Sequence, residues 1–138
     1  MKKLFLLMLL SLNSCTFTFS EKTKTVLDYP ADKEIKWSEC FDQKEELYYL
    51  YFYSNTCGHC KELKETLLTY YYTHDDVFYF VNIETYAVFQ NNPEILIGVS
   101  DINKLFIVGS PFLLEVSLHS ITSYYGGVNA IKILLASK

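Results

Sequence analysis

The sequence contains no arginine, so all twelve of its basic residues are lysines. The formal net charge is −4, which argues against a nucleic-acid partner because phosphate binding requires a basic face. Glycine and proline are scarce, and the absence of low-complexity tracts or internal repeats argues against a disordered or fibrous chain. Half of the 138 residues are hydrophobic, which suffices for one domain with a buried core.

The N-terminus has the pattern of a targeting segment. Lys2 and Lys3 form a positive start, and Leu4 to Leu10 is almost entirely Leu, Phe and Met. Polar residues begin at Ser11, so the apolar run is much shorter than the roughly 20 residues of a membrane-spanning helix.

The run ends in Leu12-Asn13-Ser14-Cys15, which resembles the lipobox of bacterial lipoproteins. The resemblance implies that residues 1–14 are a lipoprotein-type signal peptide and that a lipid is attached to Cys15. Residues 15–36, which are polar, are then expected to form a tether. An ordinary cleaved signal peptide and an uncleaved anchor are the alternatives, and all three place the domain outside the cytoplasm.

The most informative motif is Cys57-Gly58-His59-Cys60. It follows the nearly continuous apolar run Leu47–Tyr53, which is typical of a strand covered on both faces, and precedes a helical pattern that continues to about Tyr72. A helix N-terminus favours negative charge and therefore lowers the pKa of a thiol placed there. Since the thiolate is the reactive form in disulfide exchange, this position predicts a redox-active cysteine pair.

The remaining segments predict an α/β domain. Val77–Ile83 is expected to be a second buried strand, parallel to the first, and Glu39–Glu46 a short helix. Within the long connection Glu84–Ser110, Ser100-Asp101 could cap a short helix through Phe106. After it, the pattern predicts a strand, a tight hairpin at His119-Ser120 and a second strand. An amphipathic helix is then predicted to end the chain.

This element order, together with Gly109-Ser110-Pro111 before the third strand, resembles the thioredoxin fold, a central mixed β-sheet flanked by helices. The resemblance covers roughly Trp37 to Ala136 and implies a thioredoxin-like domain over residues 37–138. The tetrapeptide between the strand and the helix is the form best known from protein disulfide isomerases. Ser110-Pro111 occupies the position of that family's cis-proline.

The resemblance implies a role for each residue of the site. Cys57 is expected to be the nucleophile and Cys60 the resolving cysteine. Gly58 would permit the turn into the helix without a Cβ clash, and His59 would tune the pKa of Cys57 by a hydrogen bond or by charge. Ser110 and Pro111 are expected to bind an extended substrate segment.

Two positions depart from the thioredoxin pattern. Many thioredoxins carry a buried acidic residue six positions before the first cysteine, where this chain has Tyr51. The usual lysine partner on the next strand is replaced by Phe80. A proton relay would therefore need another group, such as water or the Tyr51 hydroxyl.

The sequence gives less support to other roles for the cysteine pair. A zinc site needs about four ligands, and no second cysteine or histidine pair is present. A c-type haem site requires histidine directly after Cys60, where Lys61 stands. A redox-inert disulfide stays open. Cys40 has no evident partner and fits a buried apolar thiol, with a second redox relay or an intermolecular disulfide as the alternative.

The sequence thus predicts an extracytoplasmic thiol–disulfide oxidoreductase with no metal or cofactor. Its expected partners are cysteine-containing protein substrates, a redox partner protein and, through the lipid, the membrane. The direction of exchange is left open. The alternative is a non-catalytic binding module for a secreted or membrane protein, favoured by the long connection Glu84–Ser110.

The lipobox resemblance generates a first testable prediction. In a bacterial host, mass spectrometry of the mature protein should find a lipid on an N-terminal Cys15. The Cys15→Ser variant should leave the membrane fraction, whereas Cys40→Ser should remain there. An unmodified N-terminus elsewhere in the chain would contradict the lipoprotein prediction.

Overall fold

The structure is a computed structural model and describes residues 27–138. The predicted signal peptide, the lipid-attachment residue Cys15 and residues 15–26 of the predicted tether lie outside the described residues. Among the residues described, no helix has the length and apolar character needed to cross a membrane.

A four-stranded mixed sheet organises the domain. Its strands are β1 (Leu47–Tyr53), β2 (Phe78–Asn82), β3 (Phe112–Ser117) and β4 (Ser120–Gly126). Their order in the sheet is β2-β1-β3-β4, with β2 parallel to β1 and the other two pairs antiparallel. The predicted parallel pairing of the first two strands is therefore confirmed.

The central strand β1 supplies apolar side chains to both faces of the sheet. Because side chains alternate along a strand, Tyr48, Leu50 and Phe52 enter one apolar cluster, whereas Tyr49 and Tyr51 enter the other. All five are at most 1% exposed. This double burial explains why the sequence of β1 is a continuous apolar run rather than an alternating one.

Both α-helices found within residues 27–138 contribute to the cluster that contains Tyr49 and Tyr51. These helices are α1 (Gly58–Thr73) and α2 (Gly127–Ala136), which contact each other. Leu63 and Leu67 of α1 and Ile131 of α2 are fully buried there. Packing against the sheet in this way holds the first turn of α1 at the end of β1.

Short 3₁₀ helices and the long connection between β2 and β3 pack on the opposite face. Within that connection, Asp101 caps a single 3₁₀ turn, Ile102–Lys104, by accepting the backbone N–H of Asn103. The sequence pattern predicted a helix reaching Phe106. That extension is wrong, because Phe106 and Ile107 are buried and Ile107 pairs with Phe89 in a parallel bridge.

The predicted helix at Glu39–Glu46 is also wrong. The structure instead has a 3₁₀ turn at Trp37–Glu39, followed by turns and bends up to β1. Side-chain donors occupy backbone carbonyls that a helix would use for its own hydrogen bonds. The Gln43 side-chain amide donates to the Glu39 carbonyl at 2.8 Å. The Cys40 carbonyl likewise accepts from the buried Tyr48 hydroxyl at 2.8 Å. Such side-chain bonds compete with helix formation.

Residues 27–36, which the sequence assigned to the end of a tether, contact the sheet. Glu34 forms a parallel bridge with Phe80 of β2. The Tyr29 ring lies 4.0 Å from the Tyr53 ring and 5.3 Å from the Phe80 ring, measured between centroids. These contacts place Tyr29 on the face of the sheet that α1 covers.

The β3–β4 hairpin turns at Leu118-His119, one residue earlier than predicted. Both residues have positive φ angles, 50° and 63°. Two-residue hairpins favour such angles, because the resulting turn matches the twist of the strands. Non-glycine residues there are strained, however, since their Cβ atoms crowd the backbone.

This strain predicts that Leu118→Gly stabilises the protein by about 1 kcal/mol. Leu118 is 69% exposed, so removing its side chain should cost little packing. Chemical denaturation can measure the free energy of unfolding. The matched control is Ile133→Gly, which removes an equally exposed side chain from the interior of α2. It should destabilise the protein by about 1 kcal/mol, and equal losses in both variants would contradict the strain argument.

Candidate active site

The two cysteines of the motif occupy different environments at the start of α1. Cys57 is the N-cap residue, and its sulfur accepts the backbone N–H of Cys60 at 3.1 Å. Cys57 is partly exposed, whereas Cys60, one turn further on, is 1% exposed. An incoming disulfide or thiol can therefore reach Cys57 but not Cys60.

The surroundings of Cys57 favour its thiolate. Partial burial opposes ionisation, but hydrogen bonds from the Cys60 thiol, the Ser110 side chain and backbone amides outweigh it and lower the pKa of Cys57. The position at the helix N-terminus acts in the same direction, because unpaired N–H groups there stabilise negative charge. When protonated, the thiol can instead donate to the Ser110 carbonyl oxygen, 3.4 Å away.

The surroundings of Cys60, in contrast, disfavour its thiolate. Burial, and to a lesser extent its hydrogen bond to Cys57, raise the pKa of Cys60 to about 11. The third described cysteine, Cys40, is fully buried on the other face of the sheet, and burial raises its pKa strongly. Cys40 thus has the environment of an inert core thiol, as the sequence predicted.

The loop before β3 faces the dithiol. The Ser110–Pro111 peptide bond is cis, in agreement with the resemblance. Pro111 lies immediately before β3, which pairs with β1, so the loop is held beside the end of the strand that leads to Cys57. The contact between the Cys57 sulfur and the Ser110 carbonyl joins these two segments.

The structure contradicts the steric reason for Gly58 and lacks the hydrogen bond expected from the His59 ring to Cys57, whereas the charge effect of His59 stays a prediction. A Cβ atom built on Gly58 would meet no atom within 4 Å, so no steric clash requires glycine there. The His59 ring, 78% exposed, lies 3.5 Å from the Glu62 carboxylate instead of bonding to Cys57. It is the backbone amide of His59 that helps to lower the pKa of Cys57.

Glu84, which the sequence analysis missed, holds the loop that leads to Cys57. Its carboxylate accepts the Ser54 hydroxyl and the Asn55 backbone N–H, each at 3.0 Å. It also accepts the Asn55 side-chain amide at 3.2 Å. Its position two residues after the β2 strand could have indicated such a role, because parallel β1 and β2 end at the same edge of the sheet.

The two positions that depart from the thioredoxin pattern are neighbours in the sheet. Tyr51 pairs with Phe80 across β1 and β2, and both side chains are fully buried. The Tyr51 hydroxyl has no hydrogen-bond partner among residues 27–138. Burial raises the pKa of Tyr51 strongly, with smaller contributions from Tyr29 and from the two cysteines of the motif.

A separate groove of about 1040 Å³ lies between the 3₁₀ turn at Trp37–Glu39 and the connection that follows β2. Trp37 and Tyr86 meet edge to face in it, with ring centroids 5.7 Å apart. Asn82, beside Glu84, also contributes to its wall. Within residues 27–138, no group of three or more potential metal-ligating side chains comes together.

The contrast between the two thiols generates a second prediction. Cys57 should react with iodoacetamide at a lower pH than an ordinary free thiol does, because its thiolate is stabilised and its pKa is lowered. Cys60 should require a much more alkaline solution, because its pKa is raised to about 11. Peptide mass spectrometry after timed alkylation of the reduced protein can follow each residue, with Cys40 as the unreactive internal control. Identical pH profiles for Cys57 and Cys60 would contradict the prediction.

Comparison with known proteins identifies the fold. No family model and no curated protein matches the sequence. Among solved structures, thioredoxin f2 of Chlamydomonas reinhardtii is 18% identical with a TM-score of 0.52, covering 75% of this chain and 90% of its own. Mitochondrial thioredoxin 3 of Saccharomyces cerevisiae is 15% identical with a TM-score of 0.54, covering 75% and 91%. Plasmodium falciparum thioredoxin is 22% identical with a TM-score of 0.52, covering 76% and 97%. This chain has the thioredoxin fold.

Proposed function

We propose that the protein is a thiol–disulfide oxidoreductase that acts on cysteine-containing proteins. The observation that carries this proposal is the asymmetry of the dithiol. Cys57 is accessible, caps a helix and has a lowered pKa, whereas Cys60 is buried behind it with a raised pKa. A structural cysteine pair has no need of this difference, but an exchange reaction requires one attacking and one resolving thiol.

The geometry supports a two-step exchange. In the reducing direction, the Cys57 thiolate attacks a substrate disulfide, forming a Cys57–substrate disulfide and releasing one substrate sulfur as a thiolate. Cys60 then loses its proton and attacks the Cys57 sulfur. The Cys57–Cys60 bond forms, and the second substrate sulfur leaves with the electron pair. The oxidising direction is the same sequence in reverse.

The loop at Ser110-Pro111 supports a protein substrate. Its backbone lies beside Cys57, where an extended segment carrying the reacting cysteine would pass. Backbone pairing to such a segment is independent of its side chains, so this edge suits an enzyme that acts on many sequences.

The direction of exchange depends on the reduction potential of the pair. Histidine between the cysteines favours a more oxidising couple than proline, through the charge that it adds when protonated. The nearby Glu62 carboxylate offsets part of that charge. A measured potential above about −200 mV would assign the protein to oxidases or isomerases, and a lower value to reductases.

The proposed location is the outer face of a bacterial cytoplasmic membrane, with the domain anchored through a lipid on Cys15. The targeting pattern of residues 1–14 and the lipobox resemblance support this location. A second protein would be needed to regenerate the dithiol or disulfide after each cycle. No nucleic acid is expected as a partner, because the net charge is −4.

A second candidate function is that of a non-catalytic binding module. The groove lined by Trp37 and Tyr86 favours it, because a concave site with an exposed ring such as that of Tyr86 can hold a peptide without any chemistry at the cysteines. In that case a partner protein would bind equally well to the wild type and to a variant that lacks both Cys57 and Cys60.

The oxidoreductase proposal predicts different defects for the two cysteines. Cys57→Ser should lower the rate of reduction of a disulfide-bonded peptide at least about 100-fold, because the nucleophile is removed. Cys60→Ser should keep the first attack and accumulate a Cys57–substrate disulfide, which non-reducing mass spectrometry can detect.

Cys40→Ser is the matched control, since it replaces a described cysteine that lies on the other face of the sheet. It should leave the rate unchanged once folding has been verified by circular dichroism. Peptide reduction that persists in the Cys57→Ser variant at the wild-type rate would refute the proposed function.

A further inference from the structure

The Tyr51 hydroxyl is a buried polar group that the fold leaves unpaired. Tyr51 is 0% exposed, and no group within residues 27–138 has the distance and angle of a hydrogen bond to its hydroxyl, although the Tyr29 hydroxyl lies close enough to affect its pKa. A buried unpaired hydroxyl destabilises a protein, because it gives up its hydrogen bonds to water without replacing them. Phenylalanine would fill the same space without this penalty, so the hydroxyl calls for a functional explanation.

Cys60, Cys57 and Tyr29 lie close enough to this hydroxyl to raise its pKa, in addition to the effect of burial. Tyr51, Cys60 and the partly buried Cys57 and Tyr29 pack in one cluster. The Tyr29 and Tyr51 rings lie 6.0 Å apart between centroids, and the Tyr53 ring stacks on Tyr51 at 6.1 Å. The Tyr53 hydroxyl already forms a hydrogen bond elsewhere, because it donates to the Glu34 carboxylate at 3.1 Å.

Tyr29 is held in place from the helix side. The Lys64 ammonium of α1 lies 4.7 Å from the centroid of the Tyr29 ring. The same ammonium forms a 2.9 Å ion pair with Asp28. These contacts fix Tyr29 beside the motif although it comes from a segment far away in sequence.

A small cavity connects this cluster with solvent. It measures about 80 Å³ and is lined by Tyr29, Cys60, Ser54, Asn55, Lys61 and Lys64. A single water molecule requires roughly 15 Å³ on this scale, so water can enter and reach both Tyr29 and Cys60. Proton exchange with the outside is therefore possible along this wall of the site.

Cys60 needs such a route for its proton. It must become a thiolate before it can resolve a mixed disulfide, and the described core holds no acidic, lysine or histidine side chain that could accept the proton. Other hydroxyls in this cluster donate to carboxylates, namely those of Tyr49, Tyr53 and Tyr70. The hydroxyls of Tyr51 and Tyr29 interact with the dithiol and are bonded to no carboxylate of the described residues.

We propose that the Tyr51 and Tyr29 hydroxyls, with water in the adjoining cavity, form the proton path between Cys60 and solvent. The inference rests on the proposed function, because it concerns the resolving step of the same dithiol. Tyr51 acts as a relay and stays neutral, which agrees with the raised pKa that burial imposes on it.

In the proposed step one proton moves from Cys60 to solvent and one disulfide bond replaces another. The Cys60 thiol gives its proton to the Tyr51 oxygen while the Tyr51 hydroxyl passes its own proton on to Tyr29 or water, and so to solvent. The Cys60 thiolate attacks the Cys57 sulfur of the mixed disulfide. The Cys57–Cys60 bond forms, the bond to the substrate breaks, and the substrate sulfur leaves with the electron pair. Both tyrosines end the step neutral.

Stopped-flow reaction of the reduced protein with Ellman's reagent separates the two steps. Attack by Cys57 releases the first coloured thiolate, and resolution by Cys60 releases the second. A Cys60→Ser variant identifies the first phase. A variant lacking both Cys57 and Cys60 gives the background from other cysteines.

Tyr51→Phe should slow the second phase roughly tenfold or more and leave the first phase within about twofold of the wild type. Tyr29→Phe should also slow the second phase selectively. The free energy of unfolding of Tyr51→Phe should not fall, because the lost hydroxyl made no hydrogen bond within the described residues.

Tyr49→Phe is the matched control. Tyr49 lies two residues earlier on β1 in the same cluster, but its hydroxyl donates to Glu115 at 3.0 Å, away from the dithiol. Both phases should be unchanged in this variant.

A second phase in Tyr51→Phe within about twofold of the wild type would overturn the proton path. Equal slowing of both phases would do the same, because it would indicate a packing defect. A different result would contradict the proposed function. In that case the first phase of the wild type would be no faster than the background reaction of the variant that lacks Cys57 and Cys60.

Discussion

The Cys57 sulfur takes the place that a serine or aspartate oxygen commonly fills at the start of a helix, accepting the N–H of Cys60. This one contact links the backbone of α1 to the ionisation of the thiol, because the cap is stronger when the sulfur is negative. It also orders the two cysteines: the capping sulfur faces outward, and the following turn places Cys60 beneath it. Any change that displaces the first turn of α1 would therefore alter the reactivity of both thiols together.

The position of that turn depends on the apolar sheet. β1 is buried on both faces, and Leu63 and Leu67 dock α1 against one of them. On the solvent side, the Glu84 carboxylate holds the loop between β1 and the helix by three hydrogen bonds. The packed core and the hydrogen bonds of Glu84 together restrict the position of Cys57 relative to the loop at Ser110. An exchange site gains from this rigidity, since the reacting sulfurs must align for displacement.

The regular elements near the site were predictable because their sequence signals are local. The unbroken apolar run of β1 and the cysteine motif that opens α1 each identify an element without reference to the rest of the chain. Prediction failed where side chains from elsewhere decide the backbone. The Tyr48 hydroxyl accounts for the missing helix after Trp37, since it donates to the Cys40 carbonyl. The same limit explains why Glu84 was missed: its partners lie about thirty residues earlier in the chain.

By itself, the sequence determined the chemistry that is available: a cysteine pair at a strand-to-helix junction, a proline before the third strand, and tyrosine and phenylalanine where an acid and a lysine are common in thioredoxins. Residue type and spacing suffice for this, because strand and helix periodicities are short-range properties. Only the tertiary structure decided how the two thiols differ and which groups surround them. It brought Tyr29 beside Tyr51 and Cys60, and it aimed the His59 ring at Glu62 instead of Cys57. Burial and hydrogen-bond geometry set a pKa, and both arise from packing between segments that are distant in the chain.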